Sequence, residues 1–247
     1  MNSTGNTVLI TGGSSGIGLA LARRLIASGN QVVVCGRDRG RLDAAQAALP
    51  GLMAIQADVA DPASRDGLVA QVQSRFPDLN VLVNNAGLLH VCDMTAPSHV
   101  GQLADEIAVN LMAPVHLISA LLPAMRRHPS CTVANVSSGY VFLPSARTPL
   151  YSATKTALHV YTRSLRYQLA GSGIQVTEVM PPATDTAMAS HYAGAKMSPE
   201  QVARHIVDGL VDGRDEIVIG VSRWAKLLAR AAPETAFKLL NRAESAS

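Results

Sequence analysis

The feature of this sequence that most limits its possible folds is a regular alternation of short strand-like runs with longer helix-like segments. The intervening segments are mostly 15 residues or longer. This rhythm is typical of βαβ units, which build a parallel sheet with helices on both faces and right-handed crossovers. The predicted strands are TVLIT (7–11), QVVVC (31–35), LMAIQ (52–56), NVLVN (80–84), TVANVS (132–137), IQVTEVM (174–180) and EIVIG (216–220).

The length of the chain suits a single domain of this class. It has 247 residues, of which 48% are hydrophobic, so a large core can be buried. No repeat, low-complexity tract or flexible linker marks an internal boundary. The apolar helix patterns at about 99–127 and 150–170 are predicted to form the main cover of one face of the sheet.

Charge and targeting signals argue against several classes of partner. Lys and Arg total 21 against 18 for Asp and Glu, so the net charge of +3 is too small to indicate a nucleic acid partner. The N-terminal stretch MNSTGNT lacks the basic residues followed by an apolar stretch that mark a signal peptide. No uninterrupted apolar run approaches the ~18 residues that cross a bilayer. A cytoplasmic protein is therefore expected. Three cysteines without a CxxC pair predict neither a metal site nor a disulfide framework.

A glycine-rich turn follows the first predicted strand. In TGGSSGIG (11–18), Gly12, Gly16 and Gly18 lie where the strand passes into a helix. Glycines there let the backbone approach a phosphate, and the first N–H groups of the helix point at it. The spacing GxxxGxG departs from the GxGxxG dinucleotide fingerprint, so a tight turn without a ligand remains the alternative.

The end of the second strand indicates which dinucleotide would bind. Many NAD-binding sheets carry an acidic residue there for the ribose hydroxyls, whereas this chain has Gly36 and Arg37. A guanidinium in place of a carboxylate favours a 2′-phosphate, and hence NADP(H) over NAD(H). The alternative is that Arg37 and Arg41 belong to an ordinary solvated helix face.

Tyr151 and Lys155 in YSATK are four residues apart, so they share one helix face. An ammonium near a phenol, helped by a cationic nicotinamide ring, stabilises the phenolate. Upstream, Ser137 and Ser138 end a strand at the carboxyl edge of the sheet, where a hydroxyl can polarise a carbonyl. Taken alone, a Tyr–Lys pair at this spacing is more often structural than catalytic.

Several such motifs occur together in a fixed order, and in this the chain resembles the short-chain dehydrogenase/reductase family. The matching pieces are TGGSSGIG (11–18), DV (58–59), NNAG (84–87), Asn110 in AVNLMAP, SSG (137–139) and YSATK (151–155). The resemblance implies a single-domain, doubly wound, Rossmann-like sheet of seven parallel strands over residues 1–220. Within the family, the segments CGRD and NVSSGYVFLPSARTPLYSATK and the double proline after the sixth strand resemble a bacterial subgroup associated with D-alanine esterification of teichoic acids.

The resemblance implies a catalytic tetrad of Asn110, Ser138, Tyr151 and Lys155. Ser138, thirteen residues before the tyrosine, matches the substrate-polarising serine better than Ser137 does. Tyr151 would be the general acid in reduction. Lys155 would lower the pKa of that phenol and hold the nicotinamide ribose, and Asn110 would support a water that relays protons to Lys155.

The family's cofactor contacts carry over to matching positions of this chain. One departure is Pro182, which replaces a family glycine between Pro181 and Thr186. The implied NADP(H) ligands are Gly12, Ser14, Ser15, Gly16, Ile17, Gly18, Arg37, Asp58, Val59, Asn85, Ala86, Gly87, Tyr151, Lys155, Pro181 and Thr186.

Two segments bear on substrate and partners. Residues 187–199 are expected to fold over the substrate as a lid, in which His191 is interpreted as a loop residue. Apolar residues there and near Leu88, Leu89, Tyr140 and Phe142 favour a small to medium, mostly apolar carbonyl compound. The family resemblance implies a homo-dimer or homo-tetramer through the long helices.

Residues 221–247 are predicted to form a C-terminal amphipathic extension. Trp224, Leu227, Leu228 and Ala231 share one helical face, and cationic side chains lie nearby. Such a helix can pack on its own domain, pack on a second subunit or contact an anionic membrane.

The favoured function is hydride transfer between NADP(H) and a carbonyl or alcohol substrate. A non-catalytic regulator or scaffold that binds the nicotinamide nucleotide is the alternative from another class, although it has no need for a complete tetrad. Sugar-nucleotide epimerases also use a YxxxK pair, but they need a larger C-terminal domain than about 60 residues can build.

Overall fold

The computed structural model of the protein describes residues 1–93 and 100–245. Its centre is a parallel sheet of seven strands in the order β3-β2-β1-β4-β5-β6-β7. This confirms the predicted doubly wound α/β class. The strands are β1 (Thr7–Thr11), β2 (Gln31–Gly36), β3 (Met53–Gln56), β4 (Leu79–Asn84), β5 (Cys131–Val136), β6 (Ile174–Met180) and β7 (Glu216–Val218).

Helices connect the strands and continue beyond the last of them. A π-helical turn, Ala108–Met112, joins α4 to α5. The helices are α1 (Gly16–Ala27), α2 (Arg39–Ala48), α3 (Pro62–Arg75), α4 (Val100–Ile107), α5 (Ala113–Met125), α6 (Pro149–Gln168), α7 (Pro199–Val211), α8 (Ser222–Ala231) and α9 (Pro233–Ser245).

Both faces of the sheet are buried, which explains why its strands are apolar almost throughout. In β1, Val8 and Ile10 point into a cluster that contains Leu21 of α1. Leu9, between them, points into the opposite cluster with Leu117 of α5. Alternate residues of one strand therefore enter two separate cores.

The strand order reverses direction between β1 and β4. The chain builds β1, β2 and β3 towards one edge and then returns to place β4 on the other side of β1. In open parallel sheets, ligands bind in the crevice that such a reversal leaves at the carboxyl ends of the strands. The fold therefore brings the loops after β1 and β4 together.

The long predicted helices are present as α4 with α5 and as α6, except that residue 99 lies outside the described part of the chain. By length and mean hydropathy (1.7), residues 101–125 meet the composition of a membrane-spanning helix. However, Leu117, Ile118 and Leu121 of this helix are fully buried in the core cluster on one face of the sheet. A helix that is buried in a protein core meets the same length and hydropathy criteria.

The predicted extension forms α8 and α9, and its last two residues lie outside the described part. Pro233 begins α9, where its missing N–H costs no intrahelical hydrogen bond. Trp224 is 67% exposed and Leu227 57% exposed, so the predicted apolar face of α8 does not pack on its own domain. Ala236 of α9 is buried.

Candidate active site

The turn between β1 and α1 has no room for side chains. Gly12 and Gly16 adopt positive φ values of 65° and 52°. A Cβ atom on Gly18 would lie 2.4 Å from the Gly12 carbonyl oxygen and 2.9 Å from Gly13 Cα. The turn therefore requires glycine for its conformation and for its close packing.

The start of α1 is open to an anion. Ser15 precedes the helix but makes no side-chain capping hydrogen bond, and the first turn carries no acidic residue. The first N–H groups of a helix have no intrahelical partner, and the helix dipole places partial positive charge there. Together with the bare glycine turn, this helix end fits the pyrophosphate of a dinucleotide.

The loop after β4 is fastened to the glycine turn. The Asn85 amide donates to the carbonyl oxygens of Thr11 (2.9 Å) and Gly12 (3.2 Å). The Thr11 hydroxyl accepts from the backbone N–H of Asn85 (3.0 Å) and of Ala86 (2.9 Å). Thr11 is a supporting residue that the sequence reasoning missed, although it begins the TGGSSGIG motif.

Arg37 lies at the end of β2, where the adenosine ribose is predicted. Its side chain is exposed, and no carboxylate of the described residues lies within ion-pair distance of it. The nearest acid in sequence, Asp38, caps α2 by accepting from the Arg41 N–H (3.0 Å) and also pairs with the Arg41 guanidinium (3.4 Å). A Cβ on Gly36 would lie 3.3 Å from the Ser14 hydroxyl, so the glycine turn borders the same point.

Asp58 and Val59 follow β3 at the carboxyl edge of the sheet. The Asp58 carboxylate accepts from the Ala60 N–H (2.9 Å), and the Asp58 N–H donates to the Ser64 hydroxyl (2.9 Å). The Val59 carbonyl accepts from Arg65 at 2.7 Å. These bonds fix the segment that the family resemblance assigns to adenine.

Tyr151, in the first turn of α6, lies beside Ser138. Both side chains line the same cavity, and the Ser138 hydroxyl accepts from the Tyr140 N–H at 3.2 Å. The Tyr140 ring meets the Tyr151 ring edge-to-face, with centroids 6.2 Å apart. Ser137 points elsewhere, donating to a carboxylate oxygen of Glu178. The structure thus brings Ser138, and not Ser137, to the phenol.

Lys155 lies one turn further along α6 and is almost fully buried. Its Nζ donates to the Val136 carbonyl at the end of β5 (2.9 Å) and lies 5.7 Å from the centre of the Tyr151 ring. A Cβ on Gly87 would lie 3.5 Å from this Nζ. The absence of a side chain at Gly87 therefore leaves the ammonium accessible from the loop after β4.

Burial dominates the ionisation of both side chains. Burial raises the pKa of Tyr151 to about 12, which outweighs the lowering by the Ser138 hydrogen bond; the Glu106 charge raises it further. Burial lowers the pKa of Lys155 to about 8, although Glu106 and Glu178 oppose this shift. Desolvation thus disfavours the phenolate more strongly than the neighbouring groups favour it. The lowering of the phenol pKa by Lys155 together with a cationic nicotinamide ring stays a prediction.

Two fully buried carboxylates near this pair were not identified from the sequence. Glu106 accepts from the His90 N–H (2.7 Å) and contacts its Nδ1 (3.1 Å). Glu178 accepts from Ser137 and lies 2.8 Å from His159 Nδ1. Glu178 had one available signal, since it is a charged residue inside the otherwise apolar strand IQVTEVM.

Asn110 is fully buried in the π-helical turn. Its amide donates to the Leu88 carbonyl (2.8 Å) and to the Thr154 hydroxyl (3.0 Å), and its oxygen accepts from the Leu88 N–H (2.9 Å). The side chain therefore links the loop after β4 to α6. Its predicted role in holding a water for Lys155 stays a prediction.

The loop after β6 returns to the glycine turn. A Cβ on Gly16 would lie 2.9 Å from Thr186 Cγ2, and Pro181 accepts from the Gly139 N–H at 3.2 Å. Pro182 lines the cavity beside Tyr151, and a Cβ on Gly220 would lie 3.4 Å from the Pro182 ring. Proline at 182 is thus accommodated against the segment after β7.

Backbone hydrogen bonds join the two ends of the predicted lid. The Met197 N–H donates to the Ala183 carbonyl, and its carbonyl accepts from the Asp185 N–H, both at 2.9 Å. Beyond this bridge, Ala187–Ala189 form a short 3-10 turn. His191 lies 3.1 Å from the Met188 carbonyl through its Nδ1, within the loop itself.

A cavity of about 200 Å³ opens beside Ser138 and Tyr151. Of the four positions proposed to flank the substrate, Leu89 and Tyr140 line it, whereas Leu88 and Phe142 do not. The lining residues are Ile17, Leu89, Ser138, Gly139, Tyr140, Leu143, Tyr151, Pro181, Pro182, Ala183, Thr184, Thr186, Met188, Ala189, His191, Tyr192, Ala195, Val221, Ser222, Ala225 and Leu240.

Known proteins resemble the chain in both sequence and fold. An oxidoreductase of Bacillus subtilis (strain 168) named DltE is 39% identical over 99% of this chain and the whole of the relative. A short-chain dehydrogenase from Sphingobium yanoikuyae in complex with NADPH superposes with a TM-score of 0.80 at 26% identity, covering 94% of this chain and 95% of that one. A 3-ketoacyl-(acyl-carrier-protein) reductase from Brucella melitensis, complexed with NADH, has a TM-score of 0.79 at 25% identity, covering 84% and 91%.

The family model described as short chain dehydrogenase matches residues 6–196. That range contains the glycine turn, the loop after β4, the buried Tyr151 and Lys155, and the first part of the lid. The DltE relative also agrees with the predicted subgroup resemblance. The chain therefore belongs to the short-chain dehydrogenase family of oxidoreductases.

Proposed function

We propose that the protein transfers a hydride between NADP(H) and a carbonyl or alcohol substrate, with Tyr151 as general acid and base. The observation that carries this proposal is that the Ser138 and Tyr151 side chains lie next to each other at the wall of one apolar cavity. A carbonyl oxygen placed between these two groups would accept from both. Family membership supports the reaction class.

The ionisation of the site suits the reductive direction. With a pKa of about 12, Tyr151 is a neutral phenol at pH 7 and holds a proton to give. With a pKa of about 8, Lys155 is mainly a cation at that pH. When Tyr151 donates its proton to the substrate oxygen, the phenolate that forms is stabilised by the Lys155 charge at close range.

The chain offers a continuous set of contacts for the cofactor along the carboxyl edge of the sheet. The glycine turn and the start of α1 would hold the pyrophosphate, Asp58 and Val59 would border adenine, and Thr186 would lie at the nicotinamide end. When bound, NADP(H) supplies or accepts the hydride. Lys155 and Tyr151 orient the reacting groups beside it.

The preference for NADP(H) rests on Arg37. One structural neighbour was solved with NADPH and another with NADH, so similarity alone does not select between them. Arg37 has an exposed side chain beside the Ser14 turn, and Asp38 is engaged as the cap of α2. A 2′-phosphate would find a cation there, whereas a ribose diol would find no available carboxylate.

The reaction is tested with a panel of aldehydes, ketones and quinones, scored by oxidation of NADPH and of NADH. We expect carbonyl-dependent oxidation of NADPH that exceeds that of NADH. Tight NADPH binding without turnover of any panel member would instead favour the non-catalytic regulator or scaffold. Faster oxidation of NADH would contradict the cofactor assignment.

Replacing Arg37 by alanine is expected to raise the dissociation constant for NADPH by about 10–100-fold, because a charge-assisted hydrogen bond to phosphate contributes about 1.5–3 kcal/mol. The dissociation constant for NADH should change little. Arg39→Ala is the matched control, since Arg39 pairs with Asp43 at 2.9 Å on the exposed side of α2. Equal losses for both cofactors in Arg37→Ala would contradict a 2′-phosphate contact.

We further infer that the protein works as a cytoplasmic homo-oligomer. Met112, Val160 and Tyr167 are exposed apolar or aromatic side chains on the long helices, and Tyr167 is 87% exposed. These exposed side chains support subunit contacts through the long helices, as the family resemblance implies.

A further inference from the structure

The helices that follow β7 form one wall of the cavity. Val221, Ser222 and Ala225 contribute from the start of α8, and Leu240 contributes from α9. All four lie beyond residue 196, where the match to the family model ends. The wall opposite the shared catalytic core is therefore built from the part of the chain that the family match does not cover.

The first of these helices is held firmly in place. Ser222 is buried, and the Arg223 guanidinium donates to the Val218 carbonyl at 2.9 Å. Lys226 forms an ion pair with Glu216 of β7, and its ammonium lies 5.7 Å from the centre of the Phe142 ring. The helix is thus fixed both to the sheet and to the segment that follows Ser138.

Close approach of α8 to that segment depends on a glycine. A Cβ on Gly139 would lie 2.5 Å from the Ser222 hydroxyl and 3.2 Å from its Cβ. Gly139 directly follows Ser138. Helix α8 therefore packs against the residue next to the serine that is proposed to polarise the substrate.

The second helix is held by Asn241. Its amide donates to the Pro144 carbonyl (3.2 Å), and its oxygen accepts from the Ala146 N–H (2.5 Å). These residues belong to the loop that leads into α6 and Tyr151. Leu240, adjacent to Asn241, is thereby positioned over the cavity.

The chemistry of the lining defines what can occupy it. None of the described residues that line the cavity is an Asp, Glu, Lys or Arg. Ser138 and Tyr151 form the reacting end, whereas the remaining apolar lining includes Leu89, Leu143, Met188, Val221, Ala225 and Leu240. A charged group in this space would lose its hydration without gaining an Asp, Glu, Lys or Arg side chain as a partner among the described lining residues.

We propose that α8 and α9 are the specificity wall of this enzyme and select an uncharged, predominantly apolar ketone or aldehyde, or the corresponding alcohol. This inference rests on the proposed function, because it assigns the substrate class of the same site. Ala225 is the smallest apolar side chain of the wall and therefore leaves the space that a long substrate needs, whereas Leu240 closes the cavity from α9.

The test compares methyl ketones of increasing chain length with 2-oxo acids of matching length, using NADPH as the reductant. In the full-length protein we expect the 2-oxo acids to have at least ~10-fold lower kcat/KM than the ketones, because an unpaired charge must be desolvated. Ala225→Phe should lower kcat/KM by about 10–100-fold for long ketones and much less for short ones, since even single methylenes in an apolar pocket change selectivity by this order.

Two further variants separate this effect from misfolding. Ala231→Phe adds the same ring at an exposed position of α8 that does not line the cavity and should leave the chain-length profile unchanged. Leu240→Ala enlarges the cavity and should shift the preference towards longer ketones, whereas Leu239→Ala, at a 60% exposed neighbour, should not. All variants should bind NADPH as the unaltered protein does.

The outcomes distinguish the two proposals. If the unaltered protein reduces no carbonyl compound, the proposed function fails. The wall is then tested by binding, as the rise in melting temperature that a long methyl ketone causes with NADP+ present. Ala225→Phe should abolish this rise, and Ala231→Phe should keep it. If ketones are reduced but Ala225→Phe and Ala231→Phe give the same profile, the specificity wall is overturned. Efficient reduction of 2-oxo acids would overturn the uncharged substrate class.

Discussion

Replacing Tyr151 by phenylalanine is expected to lower kcat/KM for carbonyl reduction by about 10²–10⁴-fold, the usual contribution of a general acid. The variant loses the phenol hydroxyl beside Ser138 but keeps the ring that packs edge-to-face on Tyr140, with centroids 6.2 Å apart. The fold and the cofactor site should therefore be preserved. The measurement is steady-state NADPH oxidation, together with NADPH affinity determined by calorimetry.

Tyr140→Phe provides the matched control for this experiment. Tyr140 also lines the cavity, but it acts on Ser138 through its backbone N–H, which the substitution retains. We expect less than about a tenfold change in kcat/KM, because no general acid is lost. A Tyr151→Phe variant within tenfold of the unaltered protein would exclude Tyr151 as the proton donor.

Replacing Gly18 by alanine is expected to weaken NADPH binding by about 10–100-fold, because overpacking a close contact costs about 1–3 kcal/mol. The added methyl group would lie 2.4 Å from the Gly12 carbonyl oxygen and 2.6 Å from the Asn85 amide nitrogen. It would thus displace both the turn and the loop fastened to it. Calorimetric titration with NADPH measures the loss.

Gly67→Ala tests whether the effect belongs to the site or to the loss of any helical glycine. Gly67 is an exposed position of α3, and a Cβ there meets nothing within 4 Å. Alanine at this position should leave NADPH affinity unchanged and raise stability by about 0.5–1 kcal/mol, since glycine costs that much in a helix interior. Unaltered NADPH binding by Gly18→Ala would show that the turn does not contact the pyrophosphate of the cofactor.

Local sequence signals were sufficient to predict most strands and helices of the fold. The strand predicted at 174–180 is β6 without change, because the prolines that follow cannot continue a ladder. The strand predicted at 216–220 ends at Val218 instead, since Gly220 turns away with a φ of 58°. The predicted single extension is divided into α8 and α9 at Pro233, and the π-helical turn around Asn110 had no recognised signal.

The site was less predictable, because much of it depends on contacts between distant segments. Glycine spacing and the YxxxK pair predicted a phosphate-binding turn and a proton donor at Tyr151, and the structure has the turn between β1 and α1 and Tyr151 at the cavity. The buried Glu106 and Glu178, whose charges act on Lys155, come from two different elements, and only the folded chain places them near it. The contribution of Leu240 to the cavity likewise arises from a contact almost 90 residues from Tyr151 along the chain.

Trp224 can serve as an intrinsic fluorescence probe of the protein. It is the only tryptophan of the chain, and it lies on α8 directly before Ala225. Its indole is largely exposed, so a soluble quencher reaches it directly. Intrinsic tryptophan emission therefore follows the environment of one helix alone, and movement of α8 during the reaction cycle can be recorded in real time without attaching a dye.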